Sequence, residues 1–332
     1  MSGYYIKGLG SMGKRRIRCL MALGVKPEEI WGNDVRKDRC AEAEKKYGIN
    51  IIKDENDEAE LDFEKIKAVI VSLPPDKHKL GVEIAAKHGK PVFVEASVVL
   101  DDVLAIKDIG KDIFVAPSCT FIFHPMIKEV KRIVTAGILG KVCNFSYHSG
   151  QYLPDWHTWE SVNDFYVSKR ETGGAREIVP YELTWIVDTF GFPKDIKGYF
   201  RKTGNVGCNI EDSYVSSLDY GDMVGGLLVD VVSRYPARNL IINFQNGQIQ
   251  WRWDSERLEI YNATTQKTDY IQQQKQAHEA GYSNMVIENM YVEEIQAFLA
   301  GIADNSAYPN TLEKDIQVLR LLNRIEETDG GF

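Results

Sequence analysis

The feature that most narrows the possible folds is the rhythm of the first 120 residues. Apolar runs at YYIKG (4–8), EIWGND (29–34), KAVIVSL (67–73), PVFVE (91–95) and DIFVA (112–116) alternate with helical stretches at 12–23, 36–47, 76–88 and 101–110. Strands that are apolar on both faces, separated by helices of that length, predict a parallel sheet covered on both sides: a doubly wound α/β layer. Within it, GLGSMG at 8–13 follows the first strand directly and opens the first helix. Gly8 suits a tight turn, Gly10 lets backbone approach a pyrophosphate, and Gly13 lets the helix lie close to the strand. Ser11 and Met12 complete the loop at the helix N-terminus. The second strand ends in Asn33-Asp34, about twenty residues on, where a dinucleotide fold carries an acid for the ribose hydroxyls. An aspartate there can equally cap the next helix. Taken with the loop, Asp34 points to a dinucleotide. It would repel a 2′-phosphate, so NAD is expected ahead of NADP, with Arg36 and Lys37 softening the preference.

After about residue 120 the rhythm changes. A helix at 125–136 ends at Gly137, a strand pattern runs from Lys141 to Tyr147, and a Trp-, Asp- and Pro-rich loop covers 151–172. A helix at about 180–190 precedes several long alternating strands, and Asn246-Gly247 between two of them predicts a type I′ hairpin. Trp251 and Trp253 alternate along a strand and are expected on one face, as sheet packing or subunit contact. Helices at 286–302 and 311–327 close the chain. The expected organisation is two domains: 1–120, dinucleotide-binding, and 121–332, an α+β domain with a large, mainly antiparallel open sheet. A sheet with one face uncovered by helices suggests a homo-oligomer formed through it.

Bulk properties exclude other classes. A net charge of -8 with scattered Lys and Arg argues against nucleic acid and anionic membranes as partners. The one basic run, Lys14-Arg15-Arg16, falls early in a predicted helix. Cys19, Cys40, Cys119, Cys143 and Cys208 are odd in number and far apart, without CxxC or Cys/His clusters, so neither a metal site nor a disulfide framework is expected. Reduced thiols, no leader-like start and no long apolar run fit a cytoplasmic protein.

SLPPDKHKLGVEIAAKHGKPVFVE (72–95), taken with GLGSMG, FHP (123–125) and GILGKV (137–142), resembles the Gfo/Idh/MocA oxidoreductases over essentially the whole chain. The resemblance implies a Rossmann domain, an α+β domain forming dimers or tetramers through its sheet, and hydride transfer between NAD(P) and a sugar-like hydroxyl compound. It also implies that Leu73, Pro74 and His78 lie along the cofactor and Glu95 near the nicotinamide ribose; His78 read alone is a helix-surface histidine.

Two family motifs depart from their usual form. The strand end that normally reads Glu-Lys-Pro is here Glu95-Ala96-Ser97, so Ala96 can wall the cofactor but cannot move a proton. The second motif runs from a Gly-Gly pair through an aspartate to a histidine at a helix start; here it is GGAREIVPYELTWIVD (173–188). Glu177 or Ile178 takes the aspartate's place, and either Tyr181 or Glu182 the histidine's. Pro180 suits a first helical turn, which would put Tyr181 and Glu182 at the helix mouth, facing the nicotinamide. They are the expected acid/base groups, with His157 in PDWHTW as a third. Glu182 equally reads as a carboxylate that favours the helix N-terminus. Trp156, Lys169 and Arg170 are expected to touch substrate. The reading is an NAD-dependent oxidoreductase acting on a sugar or nucleotide-sugar derivative with altered acid/base residues; the alternative is a non-catalytic, cofactor-dependent binding or regulatory protein.

Overall fold

Strand and helix alternate through most of the first unit of the computed structural model, which describes residues 3–53, 61–156, 161–255, 257–273 and 287–329. The order is β1 (Gly3–Lys7), α1 (Ser11–Ala22), β2 (Ile30–Asn33), α2 (Lys37–Tyr47), β3 (Asn50–Ile51), β4 (Ile66–Val71), α3 (His78–Lys87), β5 (Val92–Val94), α4 (Leu100–Ile109) and β6 (Val115–Pro117). All six strands pair in parallel, in the spatial order β3-β2-β1-β4-β5-β6. This is the doubly wound arrangement that the alternation predicts. Its strand order reverses between β1 and β4, and that opens a crevice at their carboxyl ends. Tyr5, Val69, Val71, Val82, Val92 and Ile106 form part of its core. Each such side chain contributes roughly 1.5–3 kcal/mol on burial.

The second unit begins at Phe121. It contains α5 (Pro125–Ala136), β7 (Val142–Tyr152), α6 (Ala175–Phe190), β8 (Asp195–Arg201), β9 (Ser213–Asp219), β10 (Val224–Asp230), β11 (Val232–Phe244), β12 (Gly247–Arg252), β13 (Arg257–Asn262) and β14 (Lys267–Gln272). Its eight strands run β14-β13-β12-β11-β7-β10-β9-β8 and pair antiparallel, except that β7 and β10 are parallel. Strand β9 alternates cleanly, with Tyr214, Ser216 and Leu218 buried and Val215, Ser217 and Asp219 exposed. Helix α6 packs on β9 and β10 from the buried side. The closing helices are α7 (Glu288–Gly301) and α8 (Leu312–Thr328). Asn289–Ile316 belongs with the first unit and not, as the sequence alone suggests for all of 121–332, with the second.

Two local expectations change. The β11–β12 hairpin forms, but Gln245 and Asn246 make its two-residue loop and neither has positive φ, so the turn is not type I′. Gly247 is small for another reason: a Cβ there would lie 2.2 Å from the Tyr261 carbonyl oxygen on β13. Trp251 is buried on β12, while Trp253 lies past the strand end and donates its ring N–H to the Pro236 carbonyl at 2.7 Å. None of the five cysteines forms a disulfide. Among the described residues, no helix is long and apolar enough to cross a membrane. No cluster of three or more His, Cys, Asp or Glu among them could hold a metal ion.

Candidate functional site

The three glycines of GLGSMG differ in what the fold asks of them. Gly8 has φ +95, and a Cβ there would meet the Ser72 carbonyl oxygen at 2.5 Å. At Gly13 a Cβ would meet the Gly8 carbonyl oxygen at 1.9 Å. Folding therefore requires both: one turns the chain out of β1, and the other lets α1 lie against that turn. Gly10, the N-cap of α1, has φ -68, ordinary for any residue. The nearest obstacle to a Cβ there is Arg39 Nη1 at 3.3 Å, the movable tip of a long side chain. Folding does not need a glycine at position 10, but close approach of a ligand to the helix N-terminus does.

Asp34 follows β2 directly. Its Oδ2 accepts the Leu9 backbone N–H at 2.7 Å, and its Oδ1 accepts that of Arg36 at 2.9 Å, which ties the end of β2 to the glycine loop. The cation beside it is not the one expected from sequence. Arg36 pairs with Asp38 at 2.6 Å, whereas Arg39 Nη1 lies 3.8 Å from Asp34 Oδ2. Met12 presents its sulfur to Arg15 Nη1 at 3.1 Å.

Past β4, Leu73 is half-buried and Pro74 exposed beside the glycine turn. His78 neither lies open along a ligand nor sits on the helix surface. It is fully buried, with Nε2 2.9 Å from the Leu73 carbonyl oxygen. Burial, opposed by that hydrogen bond and by nearby carboxylates, pushes its pKa down to about 4, so it is neutral at pH 7 and holds the loop in place.

Glu95 carries an ion pair that the sequence does not announce. Arg16 Nε and Nη2 donate to its two oxygens at 2.6 and 2.9 Å, and Arg16 Nη1 reaches Glu294 Oε2 at 2.8 Å. Glu294 further accepts Ser118 Oγ, the Cys119 N–H and Thr120 Oγ1 at 2.6–2.9 Å. Burial lowers the guanidinium's pKa, but the two carboxylates outweigh it and hold it well above its ordinary value. Glu95 is thus one arm of a buried Glu–Arg–Glu cluster joining α1, the end of β5 and α7. The exposed residue at the strand end is Ala96.

In the second unit, α6 starts at Ala175, so Pro180 lies inside the helix and the expected mouth is displaced. Glu182 sits two turns in and is fully buried. Its Oε1 accepts Ser149 Oγ at 2.8 Å and faces the Arg238 guanidinium at 3.3 Å; its Oε2 accepts Tyr147 Oη at 3.0 Å and Trp185 Nε1 at 2.9 Å. A carboxylate so enclosed anchors the helix to β7 and β11 and cannot meet a substrate hydroxyl. Tyr181 is half-buried, its ring 5.6 Å from that of Phe121. His124, of the FHP motif, caps α5 by accepting the Met126 N–H at 3.2 Å, and burial with the Arg238 charge lowers its pKa to about 3.

Glu177, which the sequence places at the motif's aspartate and not among the acid/base groups, is set apart by its surroundings. It lies in the first turn of α6, on the same face as Tyr181 four residues on. A Cβ at Gly173 would lie 2.0 Å from the Val167 carbonyl oxygen, so that glycine lets the preceding loop close on the helix start. The closure brings Tyr166 Oη 2.6 Å from Glu177 Oε1, while Oε2 is shut off from solvent with no hydrogen-bond partner among the described residues. Burial, opposed by the tyrosine, pushes this carboxyl up to about 7. Of the other expected groups, Trp156 is half-buried, Lys169 exposed, and Arg170 ion-paired with Glu211. His157 lies outside the described residues.

No protein-family model matches the chain, and no curated protein matches its sequence. Solved structures do match its fold. An oxidoreductase from Agrobacterium radiobacter, in complex with NAD+, L-tartaric acid and magnesium, aligns with a TM-score of 0.84 at 16% identity over 99% of this chain and 96% of that one. Levoglucosan dehydrogenase in complex with NADH and levoglucosan aligns with a TM-score of 0.81 at 15% identity, over 99% and 97%. A UDP-N-acetylglucosamine 3-dehydrogenase from Acidithiobacillus ferrooxidans gives 0.77 at 15%, over 98% and 97%. At such identities the likeness is one of fold: a doubly wound α/β layer followed by a large, mostly antiparallel sheet.

Proposed function

We propose that this chain is an NAD-dependent oxidoreductase of the Gfo/Idh/MocA type, moving hydride between the nicotinamide and a sugar or nucleotide-sugar derivative. The observation that carries the reading is Gly10, a glycine the backbone does not need, set at a helix N-terminus beside a 3-2-1-4-5-6 switch point. Three structures of the same fold support it, named for sugar or nucleotide-sugar dehydrogenases or solved with NAD+ or NADH. Gly8, Gly10 and Gly13 would cradle the pyrophosphate, Asp34 would meet the adenosine ribose, and Leu73, Pro74 and Ala96 would wall the cofactor. When bound, the nicotinamide supplies the hydride acceptor or donor. The protein must then handle the hydroxyl proton. We assign that role to the Glu177–Tyr181 face of α6, because both residues are half-buried where Glu182 is wholly buried, and a carboxyl raised to about 7 can take or give a proton at neutral pH.

The test incubates the purified protein with NAD and a panel of sugars, polyols and nucleotide sugars while following reduced nicotinamide by absorbance. Turnover is expected with at least one hydroxyl compound. Glu177→Gln should lower it by about 10²–10⁴-fold, the usual worth of general acid/base assistance. NAD binding without reduction by any compound would favour the cofactor-dependent binding protein, a reading to which Ala96 at the strand end already lends weight.

A further inference from the structure

We infer that Tyr166 is the group that meets the substrate hydroxyl and relays its proton to Glu177. The inference rests on the oxidoreductase reading and names the proton's path within the same site. Neither oxygen of the Glu177 carboxyl is open to a substrate. Oε1 is covered by Tyr166 Oη at 2.6 Å, and Oε2 is shut off from solvent. Among the described residues, the phenol is the one hydrogen-bonding group on this carboxyl, so a proton reaches it through Tyr166. A phenol suits that position, because it donates its hydrogen while its oxygen can still accept another. The 2.6 Å separation falls within the range of an O–H bonded to an ionised carboxylate, about 2.5–2.7 Å. Tyr166 itself is half-buried, on a loop fixed by Thr172 Oγ1 and the Lys169 N–H, which donate to its carbonyl oxygen at 2.9 and 3.1 Å.

Anchoring does not account for the pair. Glu182, which anchors the same helix, is met by Ser149, Arg238, Tyr147 and Trp185. Glu177 has Tyr166 alone among the described residues. An enclosed carboxyl with one donor costs stability when ionised. Burial, opposed by the phenol, accordingly leaves it titrating at about 7, which makes it a poor strut and a suitable proton store. In the oxidative direction the hydride leaves the carbinol carbon for the nicotinamide, and the substrate C–O becomes a carbonyl. The hydroxyl proton passes to Tyr166 Oη as the phenol's own proton passes to Glu177 Oε1. The phenol ends unchanged and the carboxyl ends neutral; reduction runs the same path backwards.

The test compares the unmodified protein with Tyr166→Phe, Glu177→Gln and the double variant, using a hydroxyl compound that the panel shows to be turned over. Each single variant should lower turnover by about 10²–10⁴-fold and change NAD affinity by less than about threefold. Because the two groups act in series, the double variant should fall less than about threefold below the slower single one. Infrared difference spectra of the cofactor-free protein give a readout apart from turnover. The carboxyl component that Glu177→Gln removes should titrate at about 7 in the unmodified protein. In Tyr166→Phe its midpoint should move to higher pH, because the phenol's hydrogen bond favours the ionised form. Tyr166→Phe turning over within about threefold of the unmodified protein would overturn the inference and leave the oxidoreductase reading standing. An unmoved carboxyl midpoint, or losses that multiply in the double variant, would do the same. Turnover of no compound by the unmodified protein would overturn that reading and the inference together.

Discussion

Glu182 separates an anchoring role from a catalytic one, and its neighbours set the size of the effect. Glu182→Ala would remove the acceptor for Tyr147, Ser149 and Trp185 and leave Arg238 buried without its carboxylate. Breaking a buried ion pair from one side typically costs about 3–5 kcal/mol. Each orphaned buried donor adds roughly 1–3 kcal/mol, although such costs do not sum fully. The loss therefore rivals the whole stability of an ordinary domain, about 5–15 kcal/mol, and Glu182→Ala should fail to accumulate as folded protein. Glu182→Gln keeps the shape but turns one oxygen into a donor facing other donors. It should lose about 3 kcal/mol, most of the buried-pair value. Urea denaturation reports this through tryptophan fluorescence, because Trp185 and Trp251 are buried in the same unit. A Glu182→Gln protein as stable as the unmodified one, with turnover lowered by about 10²–10⁴-fold, would refute the anchoring argument and return the acid/base role to Glu182.

Asp315, buried in α8, is raised by desolvation from an ordinary 3.8 to about 7 despite a hydrogen bond from Asn310. The folded state thus holds a proton that the unfolded state releases, so stability falls as pH rises from about 4 to about 7 and then levels off. Asp315→Asn should match the unmodified protein at pH 4 and exceed it at pH 8 by at most about 4 kcal/mol in denaturation curves; equal stability at both would refute the assignment. The open face of the second sheet carries Tyr199 beside Val215, with Ile241, Tyr261 and Tyr270, and a side-chain amide run through Asn144, Asn243, Gln248 and Gln250. A homo-oligomer through this face is expected in sedimentation at micromolar concentration, and Val215→Arg should dissociate it; a monomeric unmodified protein would contradict this.

The fold was largely legible because its signals are local. Apolar runs bounded by glycine and proline mark β1, β2, β4, β5 and β6, and α5 covers the expected 125–136. Strand β3 escaped because two residues, Asn50-Ile51, carry no periodicity. The start of α6 was misplaced because Pro180, a first-turn residue by preference, is tolerated inside the helix. The glycine loop was legible for the same local reason. The roles of the charged residues were not, because they depend on partners distant in sequence. Arg16 meets Glu95 79 residues on, and Glu182 meets Arg238 56 residues on. Glu177 was legible as the residue at the motif's aspartate but not as an acid/base group, since an acid in a first turn is ordinary and only the closure of Tyr166 over it sets it apart.

The central claim is that Gly10 is small for a ligand and not for the fold. Calorimetric titration of NAD into the unmodified protein and Gly10→Val, with melting temperatures measured in parallel, tests it most directly. The account predicts a saturable isotherm for the unmodified protein, weakened by at least about tenfold in Gly10→Val, where a side chain is forced into a filled space. It also predicts a nearly unchanged melting temperature, because a Cβ at Gly10 meets only the Arg39 tip. Unaltered NAD affinity in Gly10→Val, or no binding of either nicotinamide dinucleotide by the unmodified protein, would contradict it.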